Sequence, residues 1–453
     1  MPQAPHSSRS ANYLDDAPHS RFHTRLTLQC SGGPFLDGYA LSIIGVAMAG
    51  MTADLRLSEV SAGLVGAAAL IGILVGGLVF GPVTDRVGRE VMYTIDLVVL
   101  VVASVLCAFV TDGWQLIVLR FVLGLSVGAD YPIATTLLAE WLPRDSRAKM
   151  LGVTITFWYL GAMMAYFVGY AMVQLWGPDQ WRWILASAAV PGLVTVLARI
   201  GTPESPRWLI SKGRVEDARR VVRRVFGADV PLTWITEGSD DADAGIGLRQ
   251  LFRGGYGGRT LFCGFFYLAQ VTPLFAIYTF GPAILAAFGL TSGNASNLVS
   301  AVISLVFVIG CLPALRWVEN RGRRPVIVWS FAAMLVPFAL LGIFPSGPIW
   351  FVIACLCAYA LFSGGPTVLE WTYPNELFPT SVRASAVGLA TAISRLGAAA
   401  GTYLLPVGLD RLGIGRTMLI GAALTLLGWL ACLLWAPETK GRALSETSAP
   451  RTG

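Results

Sequence analysis

Three charged residues lie inside long apolar stretches of this sequence. Asp37 follows GGPFL, Asp130 follows GLSVGA, and Arg395 follows GLATAIS. A charge at the centre of a bilayer costs about 2.5–3.5 kcal/mol or more, so such a residue normally faces a cavity or a partner. Each lies about 11 residues from one end of its apolar stretch, or about 16 Å deep in a helix. The pattern predicts a polar site near the middle of a membrane protein.

The side-chain types indicate what this site could do. The planar guanidinium of Arg395 can bind a carboxylate or a phosphate through two hydrogen bonds, or it can form an ion pair with an acid on a neighbouring helix. Asp37 and Asp130 are candidates for carrying a proton; the alternative is that they bond backbone groups freed beside a glycine or a proline. Arg120 could tune these acids, or it could anchor its own helix to the first one.

Several uncharged side chains could complete a binding site. The aromatic residues Trp158, Tyr159 and Tyr278 could stack on a flat substrate, and Gln270 could offer a polar contact. Aromatic side chains in membrane helices more often serve packing, so that alternative stays open. Tyr159 and Arg395 occupy equivalent places in the internal repeat described below.

The composition places this chain in a lipid environment. Of its 453 residues, 55% are hydrophobic and 13% are charged, whereas soluble domains carry about 25% charged residues. Twelve apolar segments are long enough to cross a bilayer as helices, which satisfy their backbone hydrogen bonds internally. The fold class predicted is an all-α membrane protein of 12 transmembrane helices, arranged as two pseudo-symmetric six-helix bundles.

Charge distribution predicts the orientation. The net charge of +6 comes from basic residues in short loops between apolar segments, which is the positive-inside pattern rather than a nucleic-acid surface. Both termini are therefore expected in the cytoplasm, with the chain as a multi-pass protein of the inner (plasma) membrane. The expected division is a disordered tail at 1–25, a bundle at 26–200, a cytoplasmic linker with an amphipathic helix at 201–258, a second bundle at 259–436, and a tail at 437–453.

The sequence lacks the marks of several other function classes. Its seven cysteines show no metal-ligand spacing beyond a lone C-x-C at Cys355 and Cys357. Its three histidines all precede residue 25, and it contains no Gly-Lys dipeptide and hence no P-loop. We expect no metal, no cofactor, no built-in ATP hydrolysis and no enzyme activity. The expected partners are a small-molecule substrate, protons and the lipid bilayer, with no nucleic acid, and the chain is expected to act as a monomer.

Three short patterns occur twice in the same order and at a nearly constant offset. GPVTDRVGRE at 81–90 corresponds to LRWVENRGRRP at 315–325, and PESPR at 203–207 corresponds to PETKG at 437–441. The pattern E-x-x-P-x-x-x-R-x-x-x-x-G stands at 140–152 and again at 376–388. This order indicates duplication of a six-helix unit, which is one of the known transporter plans.

These patterns resemble the major facilitator superfamily. Residues 81–90 resemble its signature loop, with Glu90 in place of the usual final basic residue, and PESPRWL and PETKG resemble its sugar-porter branch. FLDGYALSIIGVAM and GADYPIATTLLAE look more like the symporters of phosphate, aromatic acids and organic ions, and ATAISRLGAAAG looks like the organic anion transporters. The helix-7 and helix-10 stretches depart from the usual sugar-porter motifs.

The resemblance also implies a cytoplasmic gate, in which charged residues at the helix ends latch the two halves together while the cavity opens outward. These charges could equally serve as topology signals. The residues concerned are Asp85, Arg86, Arg89, Glu140, Arg147, Glu319, Arg323, Glu376 and Arg383.

The main functional prediction is a secondary active transporter that carries a small organic anion, such as an aromatic carboxylate, together with a proton by alternating access. Arg395 would receive the anion, and Asp37 or Asp130 would take the proton. A sugar or polyol symporter and an inorganic phosphate symporter are the nearest alternatives. Sodium coupling stays open, and a channel or a transporter-derived sensor is a more remote possibility.

Overall fold

The structure is a computed structural model that describes residues 18–87, 89–226, 256–290, 294–378 and 380–440. Within these ranges it is helical apart from turns and short connections. Its α-helices, in chain order, are α1 Arg21–Asp54, α2 Glu59–Val87, α3 Arg89–Leu106, α4 Gly113–Trp141, α5 Arg144–Trp176, α6 Trp181–Ala186, α7 Ala189–Arg199, α8 Pro206–Ser211, α9 Val215–Phe226, α10 Gly257–Ala287, α11 Ala295–Arg321, α12 Arg323–Ile343, α13 Ile349–Leu377 and α14 Thr380–Trp435.

The described helices supply the predicted twelve crossings. Eleven stretches are long and apolar enough to span a membrane, and one of them, Ala386–Trp435, has 50 residues. A straight helix of that length would measure about 75 Å, more than twice the thickness of the hydrocarbon core. The backbone leaves the helical region at Gly413, with φ 77° and ψ 166°, so α14 crosses twice and reverses there. The all-α class with twelve crossings is confirmed.

The chain forms two bundles that meet along a few helix pairs. Helices α1–α7 pack together, as do α10–α14, and the contacts between the two groups run mainly through α2 with α14, α5 with α11, and α1 with α10. Glycines allow close approach inside each bundle. A Cβ atom on Gly124 would stand 2.0 Å from the Ala69 carbonyl oxygen, so α4 and α2 pack backbone to backbone, as small residues permit in membrane helices.

The start of α1 and the end of α14 lie on the same side of the molecule, here called the terminal side; the other is the distal side. Helix α1 begins at Arg21, several residues before the predicted end of a disordered tail at 25. The reason is packing: the Phe22 ring lies 5.0 Å from Trp141, and the His23 ring lies 6.3 Å from Phe226 of α9. The start of α1 is thus held against the end of α4 and the linker helix.

On the distal side the two bundles meet at a kinked helix. Helix α10 leaves helical geometry at Phe280, two residues before Pro282. Proline has no N–H, so the carbonyl four residues earlier, that of Tyr278, loses its helical partner. The hydroxyl of Tyr166 on α5 donates to this carbonyl at 2.5 Å. A backbone group freed by proline therefore joins the two bundles.

Candidate functional site

A cavity of about 80 Å³ lies between the two bundles. It is lined from the first bundle by residues of α1, α4 and α5, and from the second by residues of α10, α13 and α14. Midplane sites at the interface of repeats are where such folds hold their substrates. The polar and aromatic lining residues that matter below are Trp158, Tyr159, Thr367, Glu370 and Arg395.

The cavity contains charges of both signs. Arg395 lines it, as predicted from the sequence, and its guanidinium carbon lies 5.1 Å from the centre of the Phe275 ring. Glu370, which the sequence interpretation did not select, lines the same cavity within Coulombic range of Arg395. Its Oε1 atom is buried without a hydrogen-bond partner in the described part of the chain. The cavity therefore offers a guanidinium donor and a carboxylate acceptor together.

Uncharged polar groups continue this surface. The Gln270 amide donates to the hydroxyl of Thr367 at 3.0 Å and to that of Ser363 at 3.3 Å. The Tyr159 hydroxyl lies 2.9 Å from the same Thr367 hydroxyl. Gln270 thus stands behind Thr367, and its Oε1 has no partner among the residues described. The predicted residues Gln270 and Tyr159 belong to one hydrogen-bonded chain that joins the bundles.

The aromatic residues predicted from the sequence separate into two groups. Trp158 and Tyr159 line the cavity, with ring centres 5.1 Å apart. Tyr278 lies on the far side of Trp158, at a centroid distance of 5.2 Å and an interplanar angle of 89°. It borders a smaller, separate pocket beside Phe307. Tyr278 therefore supports the wall of the cavity and does not form it.

Asp37 lies next to the cavity, inside α1. It is 1% exposed, and its Oδ2 has no hydrogen-bond partner within the described residues. The following residue, Gly38, packs against the Trp158 carbonyl so closely that a Cβ would stand 1.9 Å from its oxygen. Asp37 is within Coulombic range of Asp130 and Arg199 in its own bundle and of Arg395 in the other. Asp37 thus lies between the Asp130–Arg199 pair of its own bundle and Arg395 of the other bundle.

Asp130 does not share the depth of Asp37, in contrast to the sequence interpretation. A Cβ on Gly33 would stand 1.8 Å from Asp130 Oδ2, which places Asp130 beside Gly33, one helical turn nearer the terminal side than Asp37. Its partner is Arg199, the last residue of α7, at 2.8 Å. The sequence interpretation gave Asp37 and Asp130 the same depth because each lies about 11 residues from the end of its apolar stretch. That estimate assumed that the two helices begin at the same level in the membrane.

Two members of this cluster were missed from the sequence. Arg199 also approaches Asp96 of α3 at 3.8 Å, donates to the Tyr93 carbonyl at 2.9 Å, and lies 3.3 Å above the Tyr93 ring. Asp96 lay within a predicted apolar segment and Arg199 at the end of another. A search for every charge inside such segments would have found both.

Arg120 has a geometry that favours the second of its two predicted roles. It is 2% exposed, and it donates to the Ala40 carbonyl at 2.7 Å. This is the alternative that the sequence left open, an anchor between α4 and α1. The contacts described for Arg120 include neither Asp37 nor Asp130, so tuning of these acids is not what its geometry favours.

The described gate residues connect helix ends within the second bundle. Arg323, at the start of α12, pairs with Glu376 of α13 at 2.6 Å, while Glu319 is exposed. This pair fastens two helices of one bundle and does not join the two bundles, unlike the predicted latch. The side chains of the remaining predicted gate residues lie outside the described part of the chain: Asp85, Arg86, Arg89, Glu140, Arg147 and Arg383.

The carboxylate of Glu438, outside the membrane-spanning segments, stabilises the start of α12 beside Arg323. The oxygens of Glu438 accept hydrogen bonds from the backbone N–H groups of Arg323 at 3.0 Å and Arg324 at 3.1 Å, so Glu438 caps α12. Burial alone would raise the pKa of Glu438, but these N–H donors and those of Lys440 and Thr439 hold it below its usual value. Gly322, with φ 102°, leaves room for this carboxylate.

The geometry can be compared with known proteins. The chain is 43% identical over 435 residues to the protein YaaU of Escherichia coli K12, with 96% of each chain covered. It is 37% identical to the inner membrane metabolite transport protein YgcS of the same organism, with 95% of each covered. A structure of the E. coli xylose transporter XylE in a partially occluded, inward-open conformation matches with a TM-score of 0.81. The two are 22% identical, and the match covers 94% of this chain and 100% of that one.

A family model is matched along most of the sequence. The model of the sugar (and other) transporters covers residues 26–449. This description is broader than the branch of organic anion and aromatic acid symporters suggested by stretches of α1, α4 and α14, and it does not confirm that branch. Proteins of this kind are transporters and not enzymes, in agreement with the sequence prediction. The chain is a multi-pass membrane protein that belongs to the sugar transporter family of the major facilitator superfamily.

Proposed function

We propose that this protein is a proton-coupled symporter of a small, hydroxyl-rich neutral molecule, a sugar or polyol. The observation that carries this proposal is the presence of Glu370 and Arg395 in one cavity. In its ionised form, the carboxyl group of Glu370, within Coulombic range of the arginine, lowers the net attraction that the cavity offers to an anion. The same pair suits hydroxyl groups, which donate to a carboxylate and accept from a guanidinium.

The rest of the cavity supports this choice. The hydroxyl of Thr367 offers further hydrogen bonding, and the indole of Trp158 offers an apolar face for a sugar ring. The family description names sugars first, and the structural relative XylE is a xylose transporter. Asp37, buried beside the cavity and in range of Arg395, is the candidate in the first bundle for the coupled proton.

A small organic anion stays the second candidate, because Arg395 faces the cavity from above the Phe275 ring. In that case Glu370 would have to be protonated when the substrate binds, so that the guanidinium is free to receive a carboxylate. The two candidates differ in their response to Glu370→Gln: this substitution weakens sugar binding, whereas it preserves or improves anion binding.

The test is uptake into proteoliposomes under an inward proton gradient, with labelled D-xylose, D-glucose, sorbitol and benzoate as probes. We expect accumulation of at least one sugar or polyol, its loss when a protonophore collapses the gradient, and its reduction in Glu370→Gln and Arg395→Gln. Loss of a hydrogen bond to a charged group costs about 1.5–3 kcal/mol, or about ten- to a hundredfold in affinity. Accumulation of benzoate alone would support the anion candidate, and accumulation of no probe would contradict the proposal.

The orientation and assembly are part of the same proposal. The basic side chains of Arg324 and Lys440 are exposed on the terminal side of the molecule. This supports placement of the terminal side in the cytoplasm. We infer a monomer in the plasma membrane, with bundles at 26–200 and 259–436 on either side of the linker at 201–258. Protease accessibility of tags at each terminus in right-side-out and inverted vesicles tests the orientation.

A further inference from the structure

We propose that Asp96, Asp130 and Arg199 form a second proton site, in which the two carboxyl groups share one proton, and that this site acts on the cavity through helix α1. Its role in the transport cycle rests on the proposed proton-coupled symport. The bound proton itself does not, because it follows from the arrangement of these three side chains.

The charges of this triad do not balance. Arg199 lies 2.8 Å from Asp130 and 3.8 Å from Asp96, and the three side chains are at most 3% exposed. Two carboxylates facing one guanidinium would leave a net negative charge in an enclosed site, which is strongly unfavourable. One proton on the carboxyl pair removes this imbalance. Closely placed carboxyl groups commonly resolve their repulsion in this way.

The distances indicate where the proton resides. Asp130 makes the short ion pair and therefore carries the charge, while the more distant Asp96 carries the proton. The two carboxyl groups are close enough to hydrogen-bond to each other. Each has one oxygen, Oδ2, that is buried and has no other partner within the described ranges. A proton on one Oδ2 atom can be donated to the other.

Helix α1 connects this triad to the substrate cavity. The backbone at Gly33 touches Asp130 and Arg199, and a Cβ there would stand 2.5 Å from Arg199 Nη2. The next residue, Pro34, lines the cavity, and Pro34 deprives the Cys30 carbonyl of its helical hydrogen bond. Gly32, Gly33 and Pro34 are therefore a locally adaptable segment between the two sites. Movement of the triad on proton loss would reach the cavity wall by this route.

The groups facing the triad come from four helices. Helix α1 contributes Cys30 and Asp37, α3 contributes Tyr93 and Asp96, α4 contributes Asp130, and α7 contributes Arg199. Among these described groups only Arg199 is cationic at neutral pH. The Tyr93 ring covers one face of the Arg199 guanidinium. Water is excluded from this face and therefore cannot offset the net negative charge of the triad.

Infrared spectroscopy tests the proton without any substrate. At pH 7 the carboxylic acid C=O band of the purified wild-type protein is compared with those of Asp96→Asn, Asp130→Asn and the double variant. Because the proton is shared, each single variant should lose the same band, and the double variant should lose no more. Glu216→Gln, on an exposed linker side chain with 78% exposure, is the control. Asp96→Glu keeps both carboxyl groups and should move the band without removing it.

Two results would overturn the shared proton. One is an unchanged carboxylic acid band in both single variants and in Asp96→Glu. The other is a double variant that loses twice the intensity of either single variant. Size-exclusion chromatography separates these results from misfolding, and Asp96→Glu retains the test if neither asparagine variant folds.

Transport measurements then test the role of the site. With D-xylose or another probe that the wild type carries, Asp130→Asn should lose accumulation driven by the proton gradient but retain exchange of labelled for unlabelled substrate. Retained accumulation would show that the shared proton is not coupled to transport. If the wild type accumulates no probe, the proposed symport fails while the infrared result still decides the proton site.

Discussion

The two bundles each contain an arginine close to carboxyl groups, but only Arg199 is fully buried, and the bundles use these groups differently. In the first bundle Arg199 pairs with Asp130 and Asp96, and all three side chains belong to helices of that bundle. In the second, Arg395 and Glu370 line a cavity that also has walls from the first bundle. The first cluster is closed off by its own helices, whereas the second lies at the interface of the two bundles.

This difference indicates what each charged cluster is suited to do. A closed charged cluster must be satisfied within the fold, so its members stabilise the bundle and fix how α3, α4 and α7 meet. A cluster at the interface can leave hydrogen-bonding capacity unused until a ligand arrives, as the unpartnered Oε1 of Glu370 does in the described structure. The first bundle is thus suited to hold a proton, and the second to recognise a substrate.

The largest expected effect comes from removing the arginine of the closed cluster. Arg199→Gln leaves Asp130 and Asp96 buried without a cation, and breaking a buried pair in this way costs about 3–5 kcal/mol. We expect a large fall in the thermal unfolding temperature in detergent. Arg395→Gln is the matched comparison, and it should lose transport with a much smaller change in unfolding temperature, because its site borders a cavity.

Equal destabilisation by the two arginine substitutions would contradict this comparison, because it would mean that Arg395 is as much a structural residue as Arg199. Arg219→Gln, on an exposed side chain of α9 with 57% exposure, controls for the general effect of losing a positive charge.

The sequence predicted the fold well because its signals are local. Apolar length predicted the crossings, and Pro282 accounts for the bend that the structure shows at Phe280. The site was predicted in part: Arg395, Trp158 and Tyr159 do line the cavity. The relative positions of the helices along the membrane normal were not predicted correctly. Helical offsets decide that Asp130 lies beside Gly33, and offsets cannot be read from segment lengths alone.

Glu370, which the sequence interpretation did not select, shows the same limit. Glu370 lies near the end of a long apolar segment, where a sequence suggests a residue at the membrane surface. The structure places it against the cavity because α13 runs on to Leu377. Its presence beside Arg395 is what changed the favoured substrate from an anion to a neutral molecule.

An intermediate effect is expected where the two bundles touch on the distal side. Tyr166→Phe removes the hydrogen bond to the Tyr278 carbonyl, a contact worth about 0.5–1.5 kcal/mol. The conformation in which the bundles meet on the distal side should then be populated about two- to tenfold less, relative to one in which they are apart there. Spin labels on the distal ends of α5 and α10 would report this as a larger fraction of long distances.

Tyr170→Phe is the matched control, because Tyr170 contacts the other bundle through its backbone carbonyl, which accepts from Asn294 at 2.6 Å. This contact survives loss of the hydroxyl. An unchanged distance distribution in Tyr166→Phe would show that helix packing, and not this bond, keeps the distal side closed.

The smallest effect tests the terminal side, where a carboxylate serves neither a proton site nor a substrate. The pKa of Glu438 is held below its usual value by backbone N–H donors, so the charged form stabilises the folded state. This contribution is present above the unfolded pKa of about 4.5 and is lost as the pH falls through the lower folded value. Glu438→Gln should therefore flatten the acid side of the unfolding-temperature profile and leave values near pH 7 only slightly lower, since the amide oxygen still caps α12. Glu319→Gln, on an exposed side chain nearby, should leave the profile unchanged. A wild-type profile that persists in Glu438→Gln would assign the acid sensitivity to the buried carboxyl groups of the two bundles instead.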